Sequence, residues 1–517
     1  MGGIVIALIK DLLDENIKKY GEYSFIYYGD QTYSNLDALK HANQIACSLK
    51  KLGIEQGDRV LVCMPNCPEV LFSYQGITRA GAIIVPVMYL LHAHEIEYII
   101  KASRAKAVIT SSEILPKIKE SVQLINDKPF ILVSGHCEDS DAIYLKELME
   151  QSEENESPVI EELTENDPAV ILFTSGTTGK PKGVILTHKN LYSNAAASLA
   201  SNTNPDRITT IGVLPLAHVF GLTVSNVLYL RGSSIVVFSK FDSEKVFAAI
   251  ETYKVPYFSV VPAMVYAMLH HPNADKYDLS SLEKLGSGSA ALPDAVRLAF
   301  KEKFNVEVYD GYGLSEASPA VSGYRDGMPY KKGSVGMPIE GVEIRIVDVN
   351  DREVPVGEVG ELIVRGDNVT PGYFENEQET ARVLKNGWLY TGDMAKVDEE
   401  GYLYIVDRKK DLIIRGGFNI YPRDIEELLS AHPAVLETAV IGVPDDRMGE
   451  EVLAFVVKKP DINISEQDLI QYCQAHIAKN KSPRNIVFID SLPRNGVGKI
   501  LKTRLRDYNA AGQPSNR

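Results

Sequence analysis

The sequence predicts an α/β fold: a large N-terminal domain with parallel sheets and a small β unit, followed by a small α+β domain hinged to it. The chain has 517 residues, enough for two or three domains at ~150 residues each. Through its first third, short apolar runs alternate with helical periods, as in strand-helix-strand units that build a parallel sheet. Further on, the pattern changes to short alternating strands punctuated by Gly and Pro.

The opening stretch MGGIVIALIKDLLDENIKK has no basic leader, and Lys10 breaks its apolar run, so it predicts an amphipathic first helix and neither a signal peptide nor a span. Residues 36–52 have helical spacing, 58–64 form an apolar run before a PNCP turn, and 69–80 resume a helical period. Segments 82–87, 107–110 and 130–133 predict buried strands, separated by helices such as 94–103. Residues 151–167 are acidic with little apolar pattern and predict a surface linker. At 342–364, VEIRIVD, a turn at Asn350 and Asp351, and GELIVRG predict the small β unit. GYLYIVDRKKDLIIRGG then gives two strands about a charged turn, 422–429 a helix, 437–443 and 452–458 strands, and 465–477 a helix. The expected divisions are 1–409, 410–508 and a flexible tail over 509–517.

Lys plus Arg number 54 against 69 Asp plus Glu, a formal charge of −15. That argues against a nonspecific nucleic-acid binder, which needs positive patches to displace phosphate counterions, and leaves small molecules as expected partners. From residue 411 onward 14 basic residues balance 14 acidic ones, so the preceding body carries the whole excess. After Ala478 nine Lys or Arg face only Asp490 and Asp507, which on its own reads as a solvated terminal helix. Five cysteines, Cys47, Cys63, Cys67, Cys137 and Cys473, make neither a disulfide framework nor a zinc site and fit a reducing cytoplasm.

The segment AVILFTSGTTGKPKGV, from Ala169 to Val184, runs an apolar strand into a loop of hydroxyls, glycines and lysines. Glycines let backbone N–H groups approach a polyphosphate, hydroxyls donate to it, and ammonium groups neutralise it. The G-x-x-x-x-G-K-[ST] pattern is not matched, and Pro181 directly after Lys180 disfavours a continuing helix, which speaks against an ordinary phosphate-loop NTPase.

On this loop the sequence resembles the adenylate-forming superfamily of acyl-CoA synthetases, peptide-synthetase adenylation domains and luciferases. Further blocks follow in that family's order: PLAHVFG at 215–221, DGYGLSEASP at 310–319, GELIVRG at 360–366, WLYTGD at 388–393, DRKKD at 407–411, GGFNIYP at 416–422 and PRNGVGK at 493–499. The resemblance implies a large adenylation domain with a mobile C-terminal lid, and ATP, Mg²⁺ and coenzyme A as reaction partners. It places Thr174, Ser175, Gly176, Thr177, Thr178, Lys182 and Ser315 on the phosphates, Thr174 and Glu316 on the metal, Tyr312 on adenine, and Asp393 and Arg408 on the ribose. The family usually has Thr where Ser315 stands; the hydroxyl is kept.

A hard carboxylate such as Glu316 suits Mg²⁺ bridging ATP phosphates. His218 is implied as an active-site wall residue gating the acyl carboxylate and ATP. Lys499, at the end of GVGK, is implied as the cation bridging the substrate carboxylate and the α-phosphate, where two anions must meet. Lys410 takes the hinge position, with Lys240, Gly416, Gly417 and Asn419 on the coenzyme A side. One departure concerns Ile414, where some aryl ligases have a lysine, so no nucleotide contact is carried to it. The acyl pocket falls on Phe220, Val224, Gly288, Ser289, Gly311, Pro319 and Val321, mostly small or apolar.

No acidic residue lies between Thr209 and Lys240, so an amino-acid ammonium would lack a partner. The expected activity is a cytoplasmic acyl-CoA synthetase taking a medium- or long-chain fatty acid, with no nucleic acid, no integral membrane segment, and a homodimer as one assembly. An aryl or hydroxycinnamate ligase of the same mechanism is the alternative, and a non-catalytic adenylate sensor the second.

Overall fold

The computed structural model describes residues 8–135, 139–151, 160, 162–174, 180–201, 207–460, 462–494 and 500–510. Ser175, Gly176, Thr177, Thr178, Lys499, Cys137, much of the expected linker and the end of the tail lie outside the described residues.

An eight-stranded sheet runs in the order Gly372–Tyr373, Lys182–Thr187, Pro168–Thr174, Ile83–Pro86, Arg59–Cys63, Ala107–Ser111, Phe130–Ser134, Ile143–Tyr144. From Pro168–Thr174 onward the neighbours are parallel. Helices Pro68–Arg79 and Ala93–Ser103 make the crossovers that parallel pairing requires. With both faces covered, alternate side chains enter two different cores: Val60 and Val62 join one, Leu61 and Cys63 the other. Helix starts follow their signals, with a Ser34 capping box on Asn35–Lys51 and Pro68 in the first turn of its helix. The apolar residues of the expected first helix, Leu12 and Leu13, are buried at the start of Leu12–Tyr20.

Thr209–Gly212, Ser234–Val237 and Ser24–Tyr28 form a parallel set edged by antiparallel Gln31–Ser34. Beside it lie the parallel strands Tyr257–Val260, Lys284–Ser287 and Glu307–Asp310, tied by Thr210 Oγ1 donating to the Tyr257 carbonyl at 3.0 Å. The small β unit is larger than the sequence indicates. Val342–Val347, Gly360–Gly366, Trp388–Val397 and Leu384–Lys385 pair in antiparallel order, and Leu403–Arg408 joins Trp388–Val397.

The two strands read from GYLYIVDRKKDLIIRGG therefore belong to different sheets. Leu403–Arg408 closes the β unit, while Ile413–Arg415 opens the last sheet, ordered Phe418–Ile420, Ile413–Arg415, Gly449–Lys458, Val435–Asp445, with Asn485–Phe488 parallel to Gly449–Lys458. That sheet has cores of its own: Ile413, Ile425, Leu429, Val440 and Leu469 on one side, Ile441, Phe455, Leu492 and Leu505 on the other. The basic end is not merely solvated. Leu505 buries the Lys502–Ala510 helix, Lys502 pairs with Glu426 and Arg506 with Asp411, each at 2.8 Å. Among the described residues no helix is long and apolar enough to cross a membrane.

Candidate active site

Ligands in open α/β sheets bind beyond the carboxyl ends of parallel strands, and there Thr174 and Gly311 lie. Pro168–Thr174 ends at Thr174, which faces Lys182 across an antiparallel pair, so the expected phosphate loop joins two strands of a hairpin. Glu307–Asp310 ends at Gly311, whose N–H donates to the Ser287 carbonyl at 2.9 Å. Tyr312–Gly313 then pairs with Ala320–Gly323, and only glycine fits at Gly313, because a Cβ would stand 2.3 Å from the Pro319 carbonyl oxygen.

Tyr312 Oη donates to Asp393 Oδ2 at 2.5 Å. Asp393 is 5% exposed, lies across the strand pair from Arg408, and its Oδ1 is 3.4 Å from Arg408 Nε. Burial and the Asp393 carboxylate hold the Tyr312 phenol well above its usual range, so it remains a donor. A shielded carboxylate fixed by a phenol and a guanidinium can accept from two vicinal hydroxyls. Tyr312, Asp393 and Arg408 are thus brought together.

Four residues beyond Tyr312, Glu316 lies in the turn Ser315–Ala317, and its Oε1 accepts from Tyr373 Oη at 2.8 Å. Burial, then the Glu316 charge, raises the Tyr373 phenol. Lys182 Nζ lies 5.9 Å from the Tyr373 ring centre and 2.6 Å from Glu379 Oε1. Arg408, Asp393 and Tyr312 thus form one set and Glu316, Tyr373 and Lys182 another, and the chain segment from Tyr312 to Glu316 links the two. Among the described residues no cluster of three or more His, Cys, Asp or Glu could hold a metal. A lone Glu316 with a carboxylate oxygen to spare suits Mg²⁺, which keeps its waters and takes one or two carboxylates plus substrate phosphates.

On the acyl side, His218 caps Val219–Arg231, its Nδ1 accepting from the Phe220 N–H at 3.3 Å. The ring of Phe220 packs against Gly288, where a Cβ would meet its Cε1 at 3.0 Å. A Cβ at Gly311 would lie 3.3 Å from the Ser322 carbonyl oxygen. Val224 and Pro319 are half-buried, Ser289 is exposed with φ of 69°, and Val321 is wholly buried in the main core.

Lys410 lies in the turn between the β unit and the last sheet, its ammonium lowered from its ordinary range by burial and then by Arg408. Gly416 and Gly417 have φ of 58° and 83° and turn the hairpin that carries exposed Asn419. Lys240 is exposed after Ser234–Val237, with nothing joining it to the residues above. Arg423, on the last domain's helix Pro422–Ser430, reaches back to the β unit, its Nη1 donating to the Ile405 carbonyl at 2.7 Å.

Three residues were not singled out from the sequence: Tyr373, Glu379 and Asp310. Tyr373 and Glu379 act through tertiary contacts that no local motif announces. Asp310 opens DGYGLSE and could have been noticed there. Burial raises its carboxyl to about 6, against the lowering pull of the Ser287 hydroxyl, and its Oδ2 accepts from the Leu292 N–H at 3.4 Å.

Family models match over two stretches: AMP-binding enzyme over residues 13–374 and AMP-binding enzyme C-terminal domain over 424–499. A long-chain-fatty-acid–CoA ligase of Bacillus subtilis is 36% identical, covering 96% of this chain and 94% of that protein. A 4-coumarate–CoA ligase 1 of Petroselinum crispum is 33% identical, covering 96% and 93%. Among solved structures, ATP-bound MatB from Rhodopseudomonas palustris superposes with a TM-score of 0.90 at 29% identity over 98% of this chain and 100% of that one. Apo MatB, over the same shares, gives 0.78.

Proposed function

Since the chain belongs to the AMP-binding enzyme family, we propose that it is an AMP-forming acid–CoA ligase acting on a medium- or long-chain fatty acid. The observation that carries this reading is the pair of side-chain sets, Arg408 with Asp393 and Tyr312, and Glu316 with Tyr373 and Lys182, linked by the chain segment from Tyr312 to Glu316. The first set offers a diol acceptor and the second a cation and a hard carboxylate for a triphosphate.

In the first step a carboxylate oxygen of the acid attacks the α-phosphorus of ATP, the bond to the bridging oxygen breaks, and pyrophosphate leaves. Asp393 and Arg408 fix the ribose, Tyr312 flanks the base, and Lys182 with Thr174 holds the phosphates. Mg²⁺ held by Glu316 and Thr174 would offset the phosphate charge. Lys499, outside the described residues, stands between the two anions as they meet. In the second step the thiol sulfur of coenzyme A attacks the acyl carbon and AMP departs. The last domain turns about Lys410 to bring Gly416, Gly417 and Asn419 to the thiol, with Lys240 on the coenzyme side; such an exchange lets one pocket serve two half-reactions.

Two things support a fatty acid: the small and apolar wall at Phe220, Val224 and Gly288, and the ligase name of the 36% identical relative. The finer expectations of a cytoplasmic protein and a homodimer belong to this reading and are checked by fractionation and by solution mass. An acid panel tests the substrate: saturated acids of graded length against benzoate and cinnamate types, with coenzyme A consumption as readout. Turnover rising with chain length supports the proposal; cinnamates outpacing every fatty acid would replace it with the aryl reading.

A further inference from the structure

Lys182 and Glu379 form an ion pair at the edge of the site that neither residue's own element requires. Lys182 opens a strand, and its side chain is 11% exposed; Glu379, 13% exposed, lies on the short helix Glu377–Val383. The same carboxylate takes the Arg382 fork, Nε to Oε2 at 3.0 Å and Nη2 to Oε1 at 2.5 Å, and Arg382 is 62% exposed. Glu379 therefore has one cation turned towards solvent and one at the phosphate loop. Arg382 first, and then Lys182, hold its carboxyl down at about 2, so it is charged at any working pH. Its placement is fixed from both sides. Asn376 Oδ1 accepts from the Glu379 N–H at 3.1 Å, and Thr380 Oγ1 accepts at 2.9 Å from the N–H of Tyr373, the residue that also holds Glu316.

We propose that Glu379 is a positioning residue, the resident counter-ion of Lys182: it holds the ammonium at the phosphate loop without nucleotide and yields it to the β- or γ-phosphate when ATP binds. Arg382 then retains the released carboxylate. The proposal rests on the reading of Lys182 as a phosphate contact. A carboxylate that competes for Lys182 makes ATP binding an exchange of one anion for another, so it lowers affinity for the polyphosphate. AMP, which lacks the outer phosphates, is untouched by that exchange. The role is one of selectivity and timing, since the exchange also eases the departure of pyrophosphate after the first step.

The test is a double-mutant cycle on the full chain, with dissociation constants for ATP and AMP measured without acid or coenzyme A and melting temperature as the folding control. Glu379→Gln is expected to tighten ATP by about three- to tenfold with AMP unchanged within about twofold. In a Lys182→Met background the same substitution is expected to do nothing. Unchanged or weaker ATP binding in Glu379→Gln, equal tightening of AMP, or an effect that survives in Lys182→Met overturns the proposal. Should Glu379→Gln fail to fold, Arg382→Gln serves in its place. It leaves Glu379 to Lys182 alone and must weaken ATP but not AMP, an effect that vanishes in Lys182→Met; any other result overturns the proposal. If Lys182→Met itself binds ATP as the parent chain does, the phosphate assignment fails, a different outcome from failure of the Glu379 role alone.

Discussion

At the scale of single residues, two buried groups titrate away from their ordinary ranges in opposite directions. Asp310 is a carboxylate raised to about 6 by burial. The folded chain binds more protons there than the unfolded chain between its ordinary value and about 6, so its contribution to stability falls as pH rises through that window. Asp310→Asn is accordingly expected to raise the melting temperature at pH 8 while lowering turnover with ATP, checked by thermal melts beside steady-state rates; a lower melting temperature would mean that the charge is compensated. His188 has the opposite sign. Buried at 2% exposure, with Nδ1 accepting from the Ile9 N–H at 3.1 Å, it is lowered to about 4. The unfolded chain binds the extra proton between about 4 and 6.5, so stability is lost as pH falls through that range, by roughly 3 kcal/mol at most. Melting temperature against pH for the parent and His188→Asn reads this directly, and the substituted chain should show the shallower slope. Asp393→Asn removes a carboxylate that a phenol and a guanidinium both hold, and should raise KM for ATP by at least about tenfold, equivalent to ~1.4 kcal/mol. The roles proposed for Asp393, Tyr312 and Glu316 rest on blocks whose local chemistry is distinctive in the sequence. Those of Tyr373 and Glu379 do not, because nothing in GYFENEQET says that a phenol will meet Glu316 or a carboxylate Lys182.

At the scale of elements, alternation and capping chemistry made most of the first sheet legible. The run at 58–64 becomes Arg59–Cys63, and 69–80 becomes Pro68–Arg79, because Pro fits the first turn of a helix. Pairing was harder to see. The strand after the phosphate loop follows Pro181 with no turn signature of its own, and the two strands around DRKKD look alike although they enter different sheets. Close approach also decides how the acyl side is built. Val219–Arg231 starts against the Pro215 turn so tightly that a Cβ at Gly221 would stand 2.4 Å from the Pro215 carbonyl oxygen and 2.7 Å from Leu216 Cα. Backbone cannot rotate aside as a side chain can. Gly221→Ala is therefore expected to destabilise by about 2 kcal/mol and to displace His218 and Phe220, with a larger loss in acyl-CoA formation than in ATP binding. Chemical denaturation and the two activities measured side by side check it.

At the scale of the whole molecule, the charge and the architecture divide at nearly the same point. The body before residue 411 carries the excess of acid, and the last sheet, with cores of its own and a balanced charge, begins at Ile413. In the proposed reading, an acidic body that binds a nucleotide relies on a few cations, Lys182 and Arg408 from its own strands and Lys499 from the sequence beyond residue 411. Composition hinted at this division; only the sheets show where the chain crosses from one unit to the other. If Lys410 is the pivot, Lys410→Pro should spare acid-dependent pyrophosphate release and abolish thioester formation, a split visible when both products are followed in one reaction. The central claim is tested most directly by product stoichiometry: the full chain with ATP, Mg²⁺, coenzyme A and a long saturated fatty acid. The account predicts AMP, pyrophosphate and acyl-CoA in equal amounts, with pyrophosphate release falling by orders of magnitude in Lys499→Ala. Formation of ADP and phosphate, or no acyl-CoA with any acid, would contradict it.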